Sequence, residues 1–311
     1  MCKQASVGYA VVIGAANMDL YGQSQNPLIS EESNIGTLKI SAGGVGRNIA
    51  ENLALLGTKT IFLSAVGDDI WGQELLRQTQ QSGVDTSYCL KLNGKKTSSY
   101  LSIHQPDGEM AVALNDMSIV QQIDADYLKT HHGLIIDANI VIIDANLSGD
   151  ALAYLFSLNL PFTMADPVSL AKAQRLKPYL SQIQLLKPNR TEAKYLADVH
   201  QSLGDIKAVS QKLHDIGVKY SFISCGVDGA VTNDGKNIDY LPVINKQNNN
   251  VTGAGDATLA ALAHGMMQQW PWQKICHFAM VAASMTAAVD TTINQNINEK
   301  IILEQMEKYN D

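Results

Sequence analysis

Short apolar runs rich in β-branched residues recur along this chain of 311 residues: Tyr9–Gly14, Thr60–Val66, Ile140–Asp144, Phe162–Pro167, Leu185–Pro188 and Tyr220–Gly226. None alternates polar with apolar residues as a strand with one wet face would, and each is short for a helix. They read as strands covered on both faces. Between them lie stretches of helical composition, among them Asn48–Leu56 with Gly57 as its C-cap, Gln73–Gln81, Ala257–Met267 and Trp272–Ala288. That alternation predicts an α/β fold, a mostly parallel central sheet with helices on both faces. The length allows one large domain or two smaller ones and needs no disulfide or metal staple.

Two regions break the pattern. Residues 20–40, with Pro27 and Gly36, do not read as a strand–helix unit, and Thr97–His104 with Met110–Leu114, joined through Pro106-Asp-Gly108, reads as a hairpin. Together they predict a small accessory sheet. The net charge of -7, with no basic run, excludes nucleic acid as the main partner. Cys2, Cys89, Cys225 and Cys276 form no CxxC pair, which points to a reducing compartment. No signal-peptide pattern opens the sequence and no unbroken apolar run reaches membrane-spanning length, so the expectation is a cytoplasmic protein with no membrane partner.

Chemistry concentrates at Asn248–Asp256. Gly253-Ala254-Gly255 directly precedes Asp256 and an apolar helix, so backbone N–H groups and the positive end of the helix dipole would face one point, with a carboxylate beside them. That arrangement suits deprotonation of a hydroxyl next to a stabilised anion. The same residues also read as a tight turn with an acid at a helix start. Asn17 and Asp19, past the first strand, could present polar groups to vicinal hydroxyls, or form the Asx pair of a turn. Ser41–Asn48 carries Gly43, Gly44 and Gly46, which let backbone approach a ligand; it matches neither a P-loop nor a dinucleotide fingerprint. Arg47 reads either as a contact to a base or phosphate or as a solvated helix charge. Asn146 follows the Ile140–Asp144 strand on the side where such sheets bind ligands. Asn189 and Glu192 have the spacing of a capping box. Asp68 and Asp69 read as helix caps, Asp166 as structural, and His131 and His132 as surface residues.

Three of these motifs carry a resemblance. Thr252-Gly-Ala-Gly-Asp256, the Gly43-Gly44 cluster ending at Asn48, and Asn189-x-x-Glu192 occur in the order found in the ribokinase-like, or phosphofructokinase-B type, sugar and nucleoside kinases, and the resemblance spans nearly the whole chain. It implies a single ribokinase-like αβα domain over 1–311, with lid strands from about 20–40 and 96–115. It implies that Asp256 is the catalytic base and that Gly253, Ala254 and Gly255 form the anion hole. Asn17, Asp19, Gly43, Gly44, Asn48 and, by position, Asn146 would hold the acceptor. Asn189, Ser224, Gly226, Gly229 and Thr252 would hold ATP, and Glu192 would organise Mg²⁺ through its waters. A potassium ion would sit near Asn250–Thr252, although Asn250 stands where members with that ion often carry Asp. A homodimer through the lid is a further family expectation. The runs Gly43–Gly57, Thr97–Ser102 and Leu114–Met117 are similar to members that phosphorylate the 5′-hydroxyl of a C-nucleoside, with Arg47 and the strand around Ser98 reading the base. The alternatives are a ribose, adenosine or fructose type kinase, or a non-catalytic nucleoside sensor on the same fold; Asp256 together with Asn189 and Glu192 argues against the sensor.

Overall fold

The computed structural model describes residues 8–199, 205–245 and 252–310. Its strands are β1 (Ala10–Ile13), β2 (Asn17–Ser24), β3 (Gly36–Gly43), β4 (Thr60–Leu63), β5 (Ala65–Gly67), β6 (Leu90–Leu92), β7 (Ser99–His104), β8 (Met110–Asp116), β9 (Ile140–Asp144), β10 (Phe162–Asp166), β11 (Leu185–Leu186), β12 (Tyr220–Ser224), β13 (Ala230–Asn233) and β14 (Ile238–Leu241). Its α-helices are α1 (Val45–Leu55), α2 (Ile70–Gln81), α3 (Ala125–Thr130), α4 (His132–Ile136), α5 (Gly149–Ser157), α6 (Leu170–Ala173), α7 (Arg190–Leu196), α8 (Ile206–Ile216), α9 (Ala254–Met267), α10 (Trp272–Ala287) and α11 (Glu299–Asn310).

The central sheet runs β14-β13-β12-β11-β10-β9-β1-β4, parallel from β4 to β12 and closed by an antiparallel hairpin. Successive side chains of a strand point to opposite faces, and here both faces are filled. Ala10, Val12, Phe62, Ile142, Met164 and Phe222 pack with α1, α9 and α10. Val11, Ile13, Leu63, Val141, Ile143 and Ile223 pack with α3, α5, α7 and α8. This is why the runs are continuously apolar, and it gives the three layers that the sequence predicts. The carboxyl ends of the parallel strands share one edge, which carries Asp144, Asp166, Lys187 and Ser224.

Three boundaries differ from the sequence reading. The Thr60–Val66 run is split: β4 ends at Leu63, and β5 leaves to pair with β6. From Asp234 to Lys246 the sequence reads as a short hairpin, but the hairpin is β13 with β14 and its turn lies at 234–237, because Asn233 accepts from the Gly235 amide and Asp234 from those of Lys236 and Asn237. Helix α1 begins at Val45, because Gly44 at φ 102 is its N-cap and its carbonyl accepts from Asn48 N at 2.8 Å.

The accessory sheet has the order β3-β2-β7-β8, with β2 parallel to β7. Its alternation is clean. Asp19, Tyr21, Lys39, Ser41, Tyr100, Ser102 and His104 share one face, and Leu38, Ile40, Val112 and Leu114 the other, where each is at least half exposed. Among the described residues Cys89, Cys225 and Cys276 are free thiols, and no helix is long and apolar enough to cross a membrane.

Candidate active site

Helix α9 starts at Gly253, whose φ is 82 and whose missing Cβ would lie 2.0 Å from the carbonyl oxygen of Thr292. Only glycine fits both constraints. The turn leaves the amides of Ala254, Gly255 and Asp256 as the first of a 14-residue helix, without intrahelical acceptors; the Ala257 amide is the first to bond back, to Gly253 O at 2.9 Å. Beside them stands a residue the sequence analysis passed over. Lys187, just past β11, is buried, pairs with Asp166 at 2.8 Å, and has its ammonium 2.8 Å from where a Cβ on Gly255 would sit. Burial works against its charge, but Asp166, Asp256 and Glu192 together hold its pKa above the ordinary lysine value. A basic residue at the carboxyl end of an apolar strand was the available signal.

Asp256 is 9% exposed. Burial first, then repulsion from Asp166, pushes its carboxyl up to about 7, against the pull of Lys187 and of a hydrogen bond from Asn48. That bond runs from Asn48 Nδ2 to Asp256 Oδ2 at 2.8 Å. Asn48 is oriented in turn by Arg47, whose Nη1 donates to Asn48 Oδ1 at 3.3 Å, while Nε donates to Thr79 Oγ1 at 3.0 Å and Nη2 pairs with Glu51 at 2.5 Å. Arg47 is therefore not a solvated helix charge. It is buried, and its guanidinium is committed to fixing the Asn48 amide.

Two cavities border this turn, one along Gly253–Asp256 and the other at Thr252. A cleft of about 490 Å³ is lined by Asp166, Lys187, Asn189, Glu192, Ser224, Gly226, Gly229, Gly253, Ala254, Gly255, Asp256 and the Met280–Ala287 side of α10. A cavity of about 710 Å³ under the accessory sheet is lined by Asp19, Tyr21, Lys39, Ser41, Arg47, Tyr100, Ser102, His104, Thr252 and the loop from Asp290 to Ile293. Of the expected nucleotide group, Asn189, Ser224, Gly226 and Gly229 line the first, and Thr252 borders the second. Asn189 and Glu192 do form a capping box on α7, each accepting from the other's amide, and both also line the cleft.

In the second cavity Asp19 is backed by Asn17, whose Nδ2 donates to its Oδ1 at 2.5 Å. Both lie in strand β2, not in a turn. Gly43 makes room for that carboxylate, since a Cβ there would fall 2.1 Å from Asp19 Oδ2, and one on Gly44 would fall 2.5 Å from Ala15 O. Burial raises the Asp19 pKa, opposed by Asn17 and Arg47. Asn146 and Ser98 border neither cavity. The Asn146 amide oxygen takes a hydrogen bond from Lys172 at 2.5 Å, and the buried Ser98 hydroxyl has no partner among the described residues. Asp144, also passed over, accepts from the amides of Ala15, Gly46 and Asn146, which ties the β1 loop to the start of α1. Asp69 caps α2 as expected. Asn250, on which the potassium expectation turns, lies outside the described residues.

The pfkB family carbohydrate kinase profile matches residues 8–299. The chain is 43% identical over 296 residues to the pseudouridine kinase of Escherichia coli (strain K12), covering 93% of this chain and 94% of that one. Its structure is similar to a carbohydrate kinase from Agrobacterium tumefaciens (TM-score 0.82, 26% identity, 96% of this chain and 97% of that one). It is also similar to the Arabidopsis thaliana ribokinase complexed with ribose and ATP (TM-score 0.83, 23% identity, 97% and 99%), a likeness of fold. The chain belongs to the PfkB family of carbohydrate kinases, has the ribokinase-like fold, and is a phosphotransferase acting on a hydroxyl group.

Proposed function

Given that membership, we propose that the chain transfers the γ-phosphoryl group of ATP to the 5′-hydroxyl of pseudouridine, giving pseudouridine 5′-phosphate and ADP. One observation carries the reading. Asp256 lines the first cavity with its pKa raised to about 7 and helix amides beside it, in the same turn whose Thr252 lines the second. A base of that strength is half ionised near neutral pH and can accept a proton as a hydroxyl attacks. Asp256 takes the 5′-hydroxyl proton, the oxygen forms its bond to the γ-phosphorus, the bond to the ADP oxygen breaks in line, and the proton later leaves to solvent. The amides of Ala254, Gly255 and Asp256, with Lys187, offset the charge developing on the phosphoryl oxygens. Asp19 and Asn48 hold ribose hydroxyls. Ser224, Gly226 and Gly229 lie along the nucleotide, with α10 against the adenine.

Among the described residues no group of three or more His, Cys, Asp or Glu could hold a metal ion alone. That fits Mg²⁺, which takes few protein carboxylates and arrives with nucleotide phosphates and water, and Glu192 in the cleft is the acid to orient that water. When bound, the ion draws charge from the β- and γ-phosphoryl oxygens. The accessory sheet serves as a lid that excludes water, and its apolar outer face supplies a homodimer interface. The protein acts in the cytoplasm as one kinase unit.

The test is ADP release from Mg-ATP with pseudouridine, uridine, adenosine, cytidine, ribose and fructose, for the wild type and Asp256→Asn. Turnover favouring pseudouridine and lost in the variant supports the reading. Preference for ribose or another nucleoside sinks the substrate assignment, and turnover surviving in the variant sinks the base.

A further inference from the structure

We infer that Ser102, held by His104, is an acceptor-only hydrogen-bonding site that selects the carbon-linked base by its N1–H. This rests on the reading that the acceptor is pseudouridine. Asp19 faces the row of Tyr100 on β7, and Ser102 lies two residues further along the same face, about 6–7 Å on. A nucleoside whose ribose meets Asp19 would bring its base to that distance.

The hydrogen-bonding sense of Ser102 follows from its neighbours. His104 Nδ1 is 2.9 Å from the carbonyl oxygen of Gly108. A carbonyl only accepts, so Nδ1 carries the proton, and in the tautomer with that single proton Nε2 is an acceptor. Nε2 is 3.1 Å from Ser102 Oγ, so the serine proton points at the histidine. What the hydroxyl then offers the cavity is lone pairs alone. The arrangement is rigid. Gly108, at φ 88, is fixed in the turn by the hydrogen bond its amide donates to Gln105 O, and the His104 ring lies against Tyr21 with centroids 4.3 Å apart. Ser102 is itself buried, so bulk water cannot substitute for the missing partner.

An acceptor at this place rewards an N–H and gains nothing from a C–H. In pseudouridine the ring is attached through C5, which sets N1–H where uridine has C5–H; the remaining edges of the two rings match. Neither Ser102 nor His104 moves a proton in the reaction. Ser102 touches the base, and His104 acts through it as a positioning residue.

The test compares kcat/KM for pseudouridine, uridine and 1-methylpseudouridine in the wild type, Ser102→Ala and His104→Phe, with thermal melts to confirm folding. The phenyl ring retains the packing on Tyr21 but releases the serine proton to turn toward the base. The expected wild-type preference for pseudouridine over both analogues is at least about tenfold, collapsing toward parity in both variants. A preference unchanged in either variant, or equal use of 1-methylpseudouridine by the wild type, overturns the inference and leaves the kinase assignment standing. A wild type that does not phosphorylate pseudouridine overturns both.

Discussion

Asp256 is expected to cost the fold stability in proportion to the strength it gains as a base. Its carboxyl sits at about 7 in the folded chain, against 3.8 for a free aspartate. Between those values the folded state holds a proton that the unfolded state has lost, so the contribution of this group to stability falls as pH rises from about 4 to about 7 and stays at its low level above. A difference of about 3 units corresponds to ~4 kcal/mol. Asp256→Asn replaces the carboxylate with a neutral group of the same shape that can still accept from Asn48. Relief is less than the full figure, because the carboxylate also has the pull of Lys187, and about 1–3 kcal/mol is the expected gain at pH 8. For a chain of this size that raises Tm by roughly 2–6 °C. At pH 5 the folded carboxyl is protonated but the unfolded one is largely ionised, so roughly a third of the gain should remain, and it should vanish only below about pH 4. Thermal melts of both proteins at pH 5 and pH 8, without ligand, measure this directly. An Asn variant no more stable at pH 8, or stabilised equally at both pH values, refutes the reasoning, whatever happens to its activity.

Lys187→Met should lower kcat by about 100-fold or more and, because Lys187 is what pulls the Asp256 pKa down, move the acidic limb of the pH–rate profile above its wild-type position; an unmoved limb would mean that the ammonium does not act on the base. Gly253→Ala forces a Cβ to within 2.0 Å of the Thr292 carbonyl at a φ of 82, so a loss of about 1–3 kcal/mol in denaturant unfolding is expected together with loss of turnover, and a variant of normal stability would show that the turn can relax. In the proposed homodimer, Leu114→Glu on the apolar outer face of the accessory sheet should lower the mass to that of a monomer in light scattering; a mass unchanged from that of the wild type sinks that interface.

The strands were legible because burial on both faces leaves no room for alternation, and the turn into α9 was legible because Gly-Ala-Gly-Asp before an apolar helix has few geometric readings. Partnerships were harder. Arg47 owes its burial to Glu51 on its own helix and to Thr79, on α2, and nothing in the local sequence announces the second. Lys187 is tolerated inside because Asp166 arrives from the neighbouring strand, so its role is a property of the sheet, not of its own segment. Asn17 and Asp19 invite an Asx-turn reading, and only pairing with β3 and β7 makes them a strand. Helices α1 and α9 start at glycines with positive φ and no side-chain cap, so the usual capping signals are missing at the two helix starts that matter most. The Ser102–His104 pair depends on the Gly108 carbonyl of a hairpin turn, a backbone partner that no residue pattern encodes.

The charge balance of the cleft leads to a last expectation. Asp166, Glu192 and Asp256 surround Lys187, with Asp144 close enough to raise Asp256 further. Burial and repulsion from Asp166 already raise the pKa values of Glu192 and Asp256. A nucleotide polyphosphate entering alone would add negative charge to this acid cluster, drive Asp256 to hold its proton, and so weaken its own binding while disabling the base. A divalent cation entering with the phosphates reverses both effects, because it offsets the added charge before the acids meet it. ATP should therefore stabilise the fold against heat only when Mg²⁺ is present: at a concentration of 100 times Kd the stabilisation is about 2.7 kcal/mol, and EDTA should abolish most of it. Adenosine, which brings no phosphate, should give a shift indifferent to Mg²⁺. An ATP shift that survives EDTA undiminished would mean that the helix amides and Lys187 outweigh the acids without help, and the electrostatic account of the cleft would have to be rewritten around them.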